Sequence, residues 1–282
     1  MIQCSINGHT RLYGIVGKPL GHSFSPCMQT SAFQSLHLNA VYLPFPISEE
    51  QLPDLLNAFK LIGLQGFNVT IPYKERIIPY LSQLSEDARR LGSVNTVKAI
   101  DGRWKGYSTD GPGFMRSLSS RKLELHQKKV LMLGAGGAAK AIAFALINQG
   151  LDRLDIKNRT REKAQSLKEK LEVFAPELRI SVNPETKTEY DLLINTSAVG
   201  MDRVSLPIEL EVLDRCAFVA DIIYNPPSTP LLQAAQKRGI PCDNGLEMLL
   251  FQGVESFEIW TGQEAPVAVM RDSLKKSLAF TN

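Results

Sequence analysis

Residues 129–160 read KVLMLGAGGAAKAIAFALINQGLDRLDIKNRT. The apolar run at 129–133 has the length of a buried strand, and the glycines at 134–137 demand a turn. Residues 138–148 carry neither Gly nor Pro and many good helix formers. Residues 153–157, Arg-Leu-Asp-Ile-Lys, give the next strand. Strand, tight turn, helix and strand make a βαβ unit, which implies a parallel sheet covered on both faces. The stretch 130–147 is the most membrane-like of the chain, but Lys140 and the glycine cluster interrupt it. A spanning helix needs about 20 apolar residues, so a buried strand, turn and helix is the better reading.

The turn itself, Gly134-Ala135-Gly136-Gly137-Ala138-Ala139, fits the pattern GxGxxA and opens a helix directly after a strand. Glycine lets the backbone approach a pyrophosphate closely, while the helix N-terminus offers unpaired N–H groups and positive potential. A glycine turn also occurs for packing alone, and it is the flanking strand and helix that favour a dinucleotide. The second strand ends at Asn158-Arg159-Thr160, with Lys163 a turn further on. NAD sites usually carry Asp or Glu there for the ribose hydroxyls. Asp155 falls inside the strand, too early for that role. A guanidinium forks onto a 2′-phosphate and stacks on adenine, so Arg159 points to NADP as the cofactor. Lys163 suits a solvated helix start as well as it suits binding.

Working outward, strands are expected at 13–17, 41–45, 64–69, 192–195 and 218–223, and helices at 26–36, 49–61 and 245–260. The last helix sets Leu246, Leu249, Leu250, Val254 and Phe257 near one face. Gly111-Pro112-Gly113 reads as a turn that separates the early units from a helix at 114–118, and Gly111, Gly113 and Gly245 are candidate hinges. The fold class is α/β. One domain is expected at 1–110 with 246–282 and a Rossmann domain at 111–245.

Composition narrows the function. The 282 residues are 44% hydrophobic and 22% charged, with a formal net charge of +3. That is enough chain to bury large cores without metal or disulfide staples. Lys and Arg are scattered among acids, unlike the concentrated basic face of a nucleic-acid binder. The cysteines Cys4, Cys27, Cys216 and Cys242 form no CxxC pair and read as reduced packing thiols rather than a zinc site. The beginning of the chain is polar, with no run fit for a signal peptide. The expectation is a cytoplasmic, small-molecule enzyme, monomer or homodimer, with no nucleic-acid or membrane partner.

Four further segments combine polar groups with turn residues: Ser23-Phe24-Ser25-Pro26, Asn68-Val69-Thr70-Ile71-Pro72-Tyr73-Lys74, Gly92-Ser93-Val94-Asn95-Thr96 and Gly106-Tyr107-Ser108-Thr109-Asp110. Singly, each has a bland explanation; Ser25 before a proline is an ordinary helix cap and Asp110 an ordinary turn residue. Taken in order with GAGGAA, NRT, DxIYNPxxTPLL and GLxMLxxQ…W, they resemble the shikimate dehydrogenase family over almost all of residues 13–262. The resemblance implies an N-terminal α/β substrate domain, closed by C-terminal helices, a Rossmann domain and a cleft between them. It also implies reversible reduction of 3-dehydroshikimate to shikimate by NADPH. By motif, it assigns Ser23 and Ser25 to the substrate carboxylate and Tyr224 to the pocket wall near it. Asn68, Thr70, Asn95 and Asp110 go to the ring hydroxyls, with Gln252 reaching in from the last helix. Lys74 and Asp110 become the catalytic pair, and the cofactor-binding set is residues 134–138 with Asn158, Arg159, Thr160 and Lys163.

Chemistry supports the pair independently. A ketone that accepts hydride develops negative charge on oxygen and needs a proton, and a sheltered ammonium answers both needs. No histidine is required; His22 is a loop-orienting candidate. Two departures from the family pattern stand out, Ser108 in place of Asn and Gln29-Thr30 in place of His-Asn. A quinate or quinate/shikimate dehydrogenase is the rival enzyme, and Ser25 the residue that discriminates. A non-catalytic, ligand-sensing relative is the rival class, although it would be expected to lack Lys74 or Asp110.

Overall fold

The computed structural model describes residues 6–21, 23–185 and 187–279; Cys4 and His22 lie outside them. The chain forms two compact units, Met1–Gly113 with Leu250–Asn282, and Phe114–Leu249.

The first unit opens with β1 (Arg11–Gly17), α1 (Ser25–Ser35), β2 (Ala40–Pro46), α2 (Leu52–Leu61) and β3 (Gly66–Val69). It continues through β4 (Gln83–Leu84), α3 (Glu86–Leu91), β5 (Thr96–Ile100) and β6 (Arg103–Tyr107). The sheet order is β2-β1-β3-β5-β6-β4. β1 pairs in parallel with β2 and β3, and β4 with β6, whereas β5 runs antiparallel to both neighbours. The reversal comes from a two-residue hairpin turn in which Asp101 and Gly102 both have positive φ, 48° and 72°. That geometry follows the right-handed twist of the strands it joins, and Asp-Gly adopts it readily.

Alternation along β1 sends Leu12 and Val16 into one core with Leu56, Phe59, Phe67 and Trp104. Tyr13 goes to the other face, where its ring lies 4.9 Å from Phe33 of α1 and 5.4 Å from Trp260. Such aromatic pairs add about 0.5–1.5 kcal/mol each beyond their buried area. Gly66 has no side chain because Trp260 occupies the place, 2.4 Å from where a Cβ would stand.

Helix α4 (Asp110–Ser119) leads into the second unit. The expected separating turn at 111–113 is instead its first turn. Pro112 is tolerated there because its missing N–H has no intrahelical partner to lose. A Cβ on Gly113 would lie 2.5 Å from the backbone nitrogen of Gln252, so close packing explains this glycine. Gly245 is likewise pressed against the carbonyl oxygen of Ile222, 1.9 Å from a Cβ position.

The second unit runs β7 (Lys129–Leu133), α5 (Gly137–Ile147), β8 (Arg153–Lys157), α6 (Arg161–Phe174) and β9 (Arg179–Val182). It then forms β10 (Leu192–Asn195), α7 (Leu210–Leu213), β11 (Val219–Asp221), α8 (Pro230–Lys237) and β12 (Cys242–Asp243). Helix α9 (Leu246–Thr261) returns the chain to the first unit, which ends in α10 (Val267–Ala279). The sheet order β12-β11-β10-β7-β8-β9, parallel throughout, is that of a Rossmann fold. β10 and β11 are buried along their whole length, as strands covered on both faces must be. No helix among the described residues is long and apolar enough to cross a membrane.

Cys216 packs in the core with Leu213, Val219 and Leu231, and burial pushes its thiol up to about 12. The thiolate is the reactive form, so at about pH 8 a soluble thiol reagent should modify exposed Cys27 and spare Cys216 until the fold opens. Peptide mapping after a timed pulse reads this out; equal labelling of the two would contradict the packing.

Candidate active site

In the second unit the carboxyl ends of β7, β8 and β10 meet at the point where strand order reverses, the place where open α/β sheets bind ligands. Gly134 leaves β7 with φ 114° and donates its N–H to the Lys157 carbonyl at 2.8 Å, which sets Asn158 beside the glycine turn. A Cβ at Gly134 would stand 2.6 Å from Thr196 Oγ1. At exposed Gly136 and Gly137 nothing lies within 4 Å of a Cβ position. These residues therefore leave a backbone cradle at the N-terminus of α5 that suits a pyrophosphate. Ala135 is buried and Ala138 half-buried at its base.

Asn158, Arg159 and Thr160 follow β8 directly. The Asn158 amide nitrogen donates to Asn183 Oδ1 at 2.8 Å, and its side chain donates to the Thr160 carbonyl at 2.7 Å, which fixes the loop's path. Arg159, Thr160 and, in the first turn of α6, Lys163 are exposed. Asp155 is fully buried and accepts from Tyr190 Oη at 2.6 Å and Arg153 Nε at 2.8 Å, so it is not offered to a ribose.

Tyr224, expected beside the substrate carboxylate, belongs to this second unit, half-buried on the loop after β11, where burial raises its phenol. Buried Asp221 supports that loop. Its carboxylate accepts from Thr229 Oγ1 at 2.7 Å, Asn195 Nδ2 at 3.0 Å and the Ile223 amide at 3.1 Å. Burial holds its pKa above the ordinary carboxylate value, and those three donors offset only part of that rise.

In the first unit the loops after β1 and β3 run side by side. Lys18 N donates to the Ile71 carbonyl at 3.2 Å, and a Cβ on Gly17 would stand 2.2 Å from Thr70 Cγ2. Ser23 and Ser25 lie on the first loop, Ser25 opening α1; Thr70 and Lys74 lie on the second. Because β5 is antiparallel, its beginning adjoins the carboxyl ends of both β3 and β6: Thr96 sits opposite Asn68 and Tyr107. This brings Lys74, Asn95 and Asp110 together. Lys74 Nζ donates to Asp110 Oδ2 at 2.6 Å, and Asn95 Nδ2 donates to Asp110 Oδ1 at 2.9 Å. The Lys74 and Asp110 side chains are 22% and 12% exposed. Exposed ion pairs such as Arg121–Asp243 contribute about 0–1 kcal/mol. A sheltered pair with one ammonium facing one carboxylate is better suited to chemistry than to stability.

Asn68, expected on a ring hydroxyl, sits in a buried hydrogen-bond network. Its Nδ2 lies 3.0 Å from each of the Asn95 carbonyl, Thr96 Oγ1 and Ser256 Oγ, and its Oδ1 accepts from Tyr42 Oη at 2.7 Å. Both amide hydrogens are engaged there, and Oδ1 keeps a second lone pair. Asn95 is also turned inward, and Thr109 N fixes its Oδ1 at 2.7 Å. That grip holds the segment following Ser108. Gln252 comes in on α9 with its backbone against Gly113. Gln29, at the position of the family's His, is fully buried and donates to the Gly253 carbonyl at 2.9 Å, so this departure serves helix packing. The sequence alone does not single out Thr109, Ser256 or Tyr42. Each is a common residue type whose importance comes from pairings across 13 to 188 positions, which no local pattern carries.

A parallel Rossmann sheet with an open glycine cradle, in a chain that also carries a sheltered lysine–aspartate pair on an α/β scaffold, defines a nicotinamide-dinucleotide-dependent dehydrogenase. Three family models match the chain: the shikimate dehydrogenase substrate binding domain at residues 15–97, shikimate/quinate 5-dehydrogenase at 117–204, and the shikimate 5′-dehydrogenase C-terminal domain at 245–275. A shikimate dehydrogenase (NADP(+)) of Carboxydothermus hydrogenoformans is 43% identical over 279 residues, covering 95% of this chain and 98% of the relative. The chain belongs to the shikimate dehydrogenase family.

Among solved structures, the Thermus thermophilus shikimate 5-dehydrogenase in complex with NADP(H) and shikimate is similar at TM-score 0.87 and 33% identity, covering 95% of this chain and 100% of that one. The ligand-free 5-ketofructose reductase of a Gluconobacter strain is also similar, at TM-score 0.87 and 31% identity, with 96% and 99% covered.

Proposed function

We propose that this chain reversibly reduces 3-dehydroshikimate to shikimate with NADPH, in the cytoplasm, as a monomer or homodimer. Residues 1–110 with 246–282 hold the acid, and residues 111–245 hold the cofactor. The reading is carried by the Lys74–Asp110 pair, joined at 2.6 Å and braced by Asn95, in a chain whose 43%-identical relative bears that activity's name.

NADP, when bound, supplies or accepts the hydride. It fits the backbone cradle at 134–138, with Asn158, Arg159, Thr160 and Lys163 toward the adenosine phosphate. During ketone reduction the Lys74 ammonium faces the carbonyl oxygen and opposes the charge growing there. An N–H bond of Lys74 breaks as the O–H bond of the alcohol forms, and the amine is reprotonated from solvent. Asp110 orients Lys74 and accepts from a ring hydroxyl; Asn95 holds Asp110 and meets the same ring. Ser23 and Ser25 take the carboxylate, Asn68, Thr70 and Gln252 the remaining hydroxyls, and Tyr224 walls the pocket. Two hydroxyls at Ser23 and Ser25 favour a carboxylate on an unsubstituted ring carbon, hence shikimate over quinate. The test is the rate of NADP reduction by the pure protein given shikimate or quinate. Shikimate is expected to be the better substrate; no reduction with either acid, or a clear quinate preference, would overturn the reading.

A further inference from the structure

We infer that Ser256, on the buried face of α9, is a positioning residue that sets the direction of the hydrogen bonds leading to the Lys74–Asp110 pair. The inference rests on the reading of that pair as catalytic.

The direction follows from groups that can act in only one way. The Gln252 carbonyl only accepts, so the single Ser256 hydroxyl proton goes to it, at 2.8 Å. Its Oγ then has two lone pairs left, which suit the two nearer donors, Thr96 Oγ1 at 2.8 Å and Asn68 Nδ2 at 3.0 Å; Thr109 Oγ1 is farther, at 3.3 Å. At the far end, the Thr109 backbone N–H only donates, and it fixes Asn95 with Oδ1 toward itself. Asn95 is left presenting its two amide hydrogens to Thr109 Oγ1 and Asp110 Oδ1, each at 2.9 Å. Asp110 holds Lys74 through its other oxygen. Ser256 and Thr96 are fully buried, and Asn68, Asn95 and Thr109 nearly so, so water is not available to replace a missing acceptor.

Removal of the Ser256 hydroxyl leaves the Thr96 proton two longer choices, Thr109 Oγ1 and Asn95 Oδ1, each at 3.3 Å, and Thr109 Oγ1 itself lies 3.2 Å from the same Asn95 oxygen. That oxygen already serves Thr109 N, and the competition loosens the carboxamide that braces Asp110. The same hydroxyl holds the Gln252 carbonyl, so one side chain links the acid-binding helix to the catalytic pair.

The experiment compares Ser256→Ala and Ser256→Thr with the unmodified chain. Because a net hydrogen bond is worth a factor of a few to about ten, we expect Ser256→Ala to lower kcat about five- to tenfold. The KM for NADP should stay unchanged, and Ser256→Thr, which keeps a hydroxyl on the same Cβ, should recover most of the rate. The side-chain amide resonances of Asn95, assigned through Asn95→Asp, should shift or broaden in Ser256→Ala alone. A kcat loss matched by loss of folded protein, or unmoved Asn95 resonances, would overturn the inference. If the unmodified chain reduces no NADP with the acid, the functional reading fails while the Asn95 resonances still decide the positioning role.

Discussion

Replacing Lys74 by alanine should lower kcat by on the order of 10³-fold while the affinity for the acid falls less than about tenfold. A positioned proton donor contributes about 10²–10⁴ in rate, and the ammonium also stabilises charge that exists only once hydride arrives. In the proposed reading, ground-state binding leans on other groups, chiefly the serines and Gln252. The backbone at Lys74 is anchored by Val94 N to the Lys74 carbonyl at 2.8 Å, so a truncated side chain should not disturb the loop. The carboxylate of Asp110 would keep Asn95 but lose its cation, and a buried charge stripped of a partner costs about 1–3 kcal/mol or more. A melting curve alongside the kinetics separates that loss from the chemical one. Lys74→Arg makes the contrast sharper: it keeps a cation for Asp110 but cannot release a proton near neutral pH, so stability should return and turnover should not. Unchanged turnover in Lys74→Ala would remove this residue from the mechanism.

Arg159→Ala should weaken NADP by about 10–100-fold and NAD by less than about threefold. A hydrogen bond to a charged partner is worth about 1.5–3 kcal/mol, and each 1.4 kcal/mol is tenfold in affinity. The exposed guanidinium stands directly after β8, beside the glycine turn through the Gly134–Lys157 bond, where an adenosine phosphate would lie. Its fork meets a 2′-phosphate with two bonds but meets a 2′-hydroxyl poorly. Dissociation constants for the two dinucleotides, measured at one ionic strength, read the difference. Equal losses would contradict the phosphate assignment. Lys163→Ala, a turn into α6, should show the same sign with a smaller size.

Much of the fold is legible in sequence because its signals are local. The βαβ unit at 129–157 reads correctly to within a residue or so at each boundary. The first strand appears as a nearly continuous apolar run, and glycines mark the turn from it into the helix. The β5–β6 hairpin is absent from the expected strands although its signal is present: Asp101-Gly102 between VKAI and RWKGY is a strong hairpin signature. Gly111-Pro112-Gly113 misleads because a proline inside the first helical turn looks, in sequence, like one outside it. The glycines there and at 245 suggest hinges, and the close backbone contacts of Gly113 and Gly245 explain those two instead.

The sequence by itself determined the α/β class, the dinucleotide turn, the arginine beside it and the residue types able to handle a ketone, since each is written in neighbouring positions or ordered motifs. Which buried polar side chains pair with which is settled by the packing of distant segments. Asn68 and Asn95 are alike in sequence, yet the antiparallel entry of β5 and the seating of α9 join Asn68 to Ser256 and set Asn95 against Asp110. The physical reason is that a buried amide or hydroxyl must satisfy its donors and acceptors with whatever the fold brings near. Those partners come from strands and helices far apart along the chain.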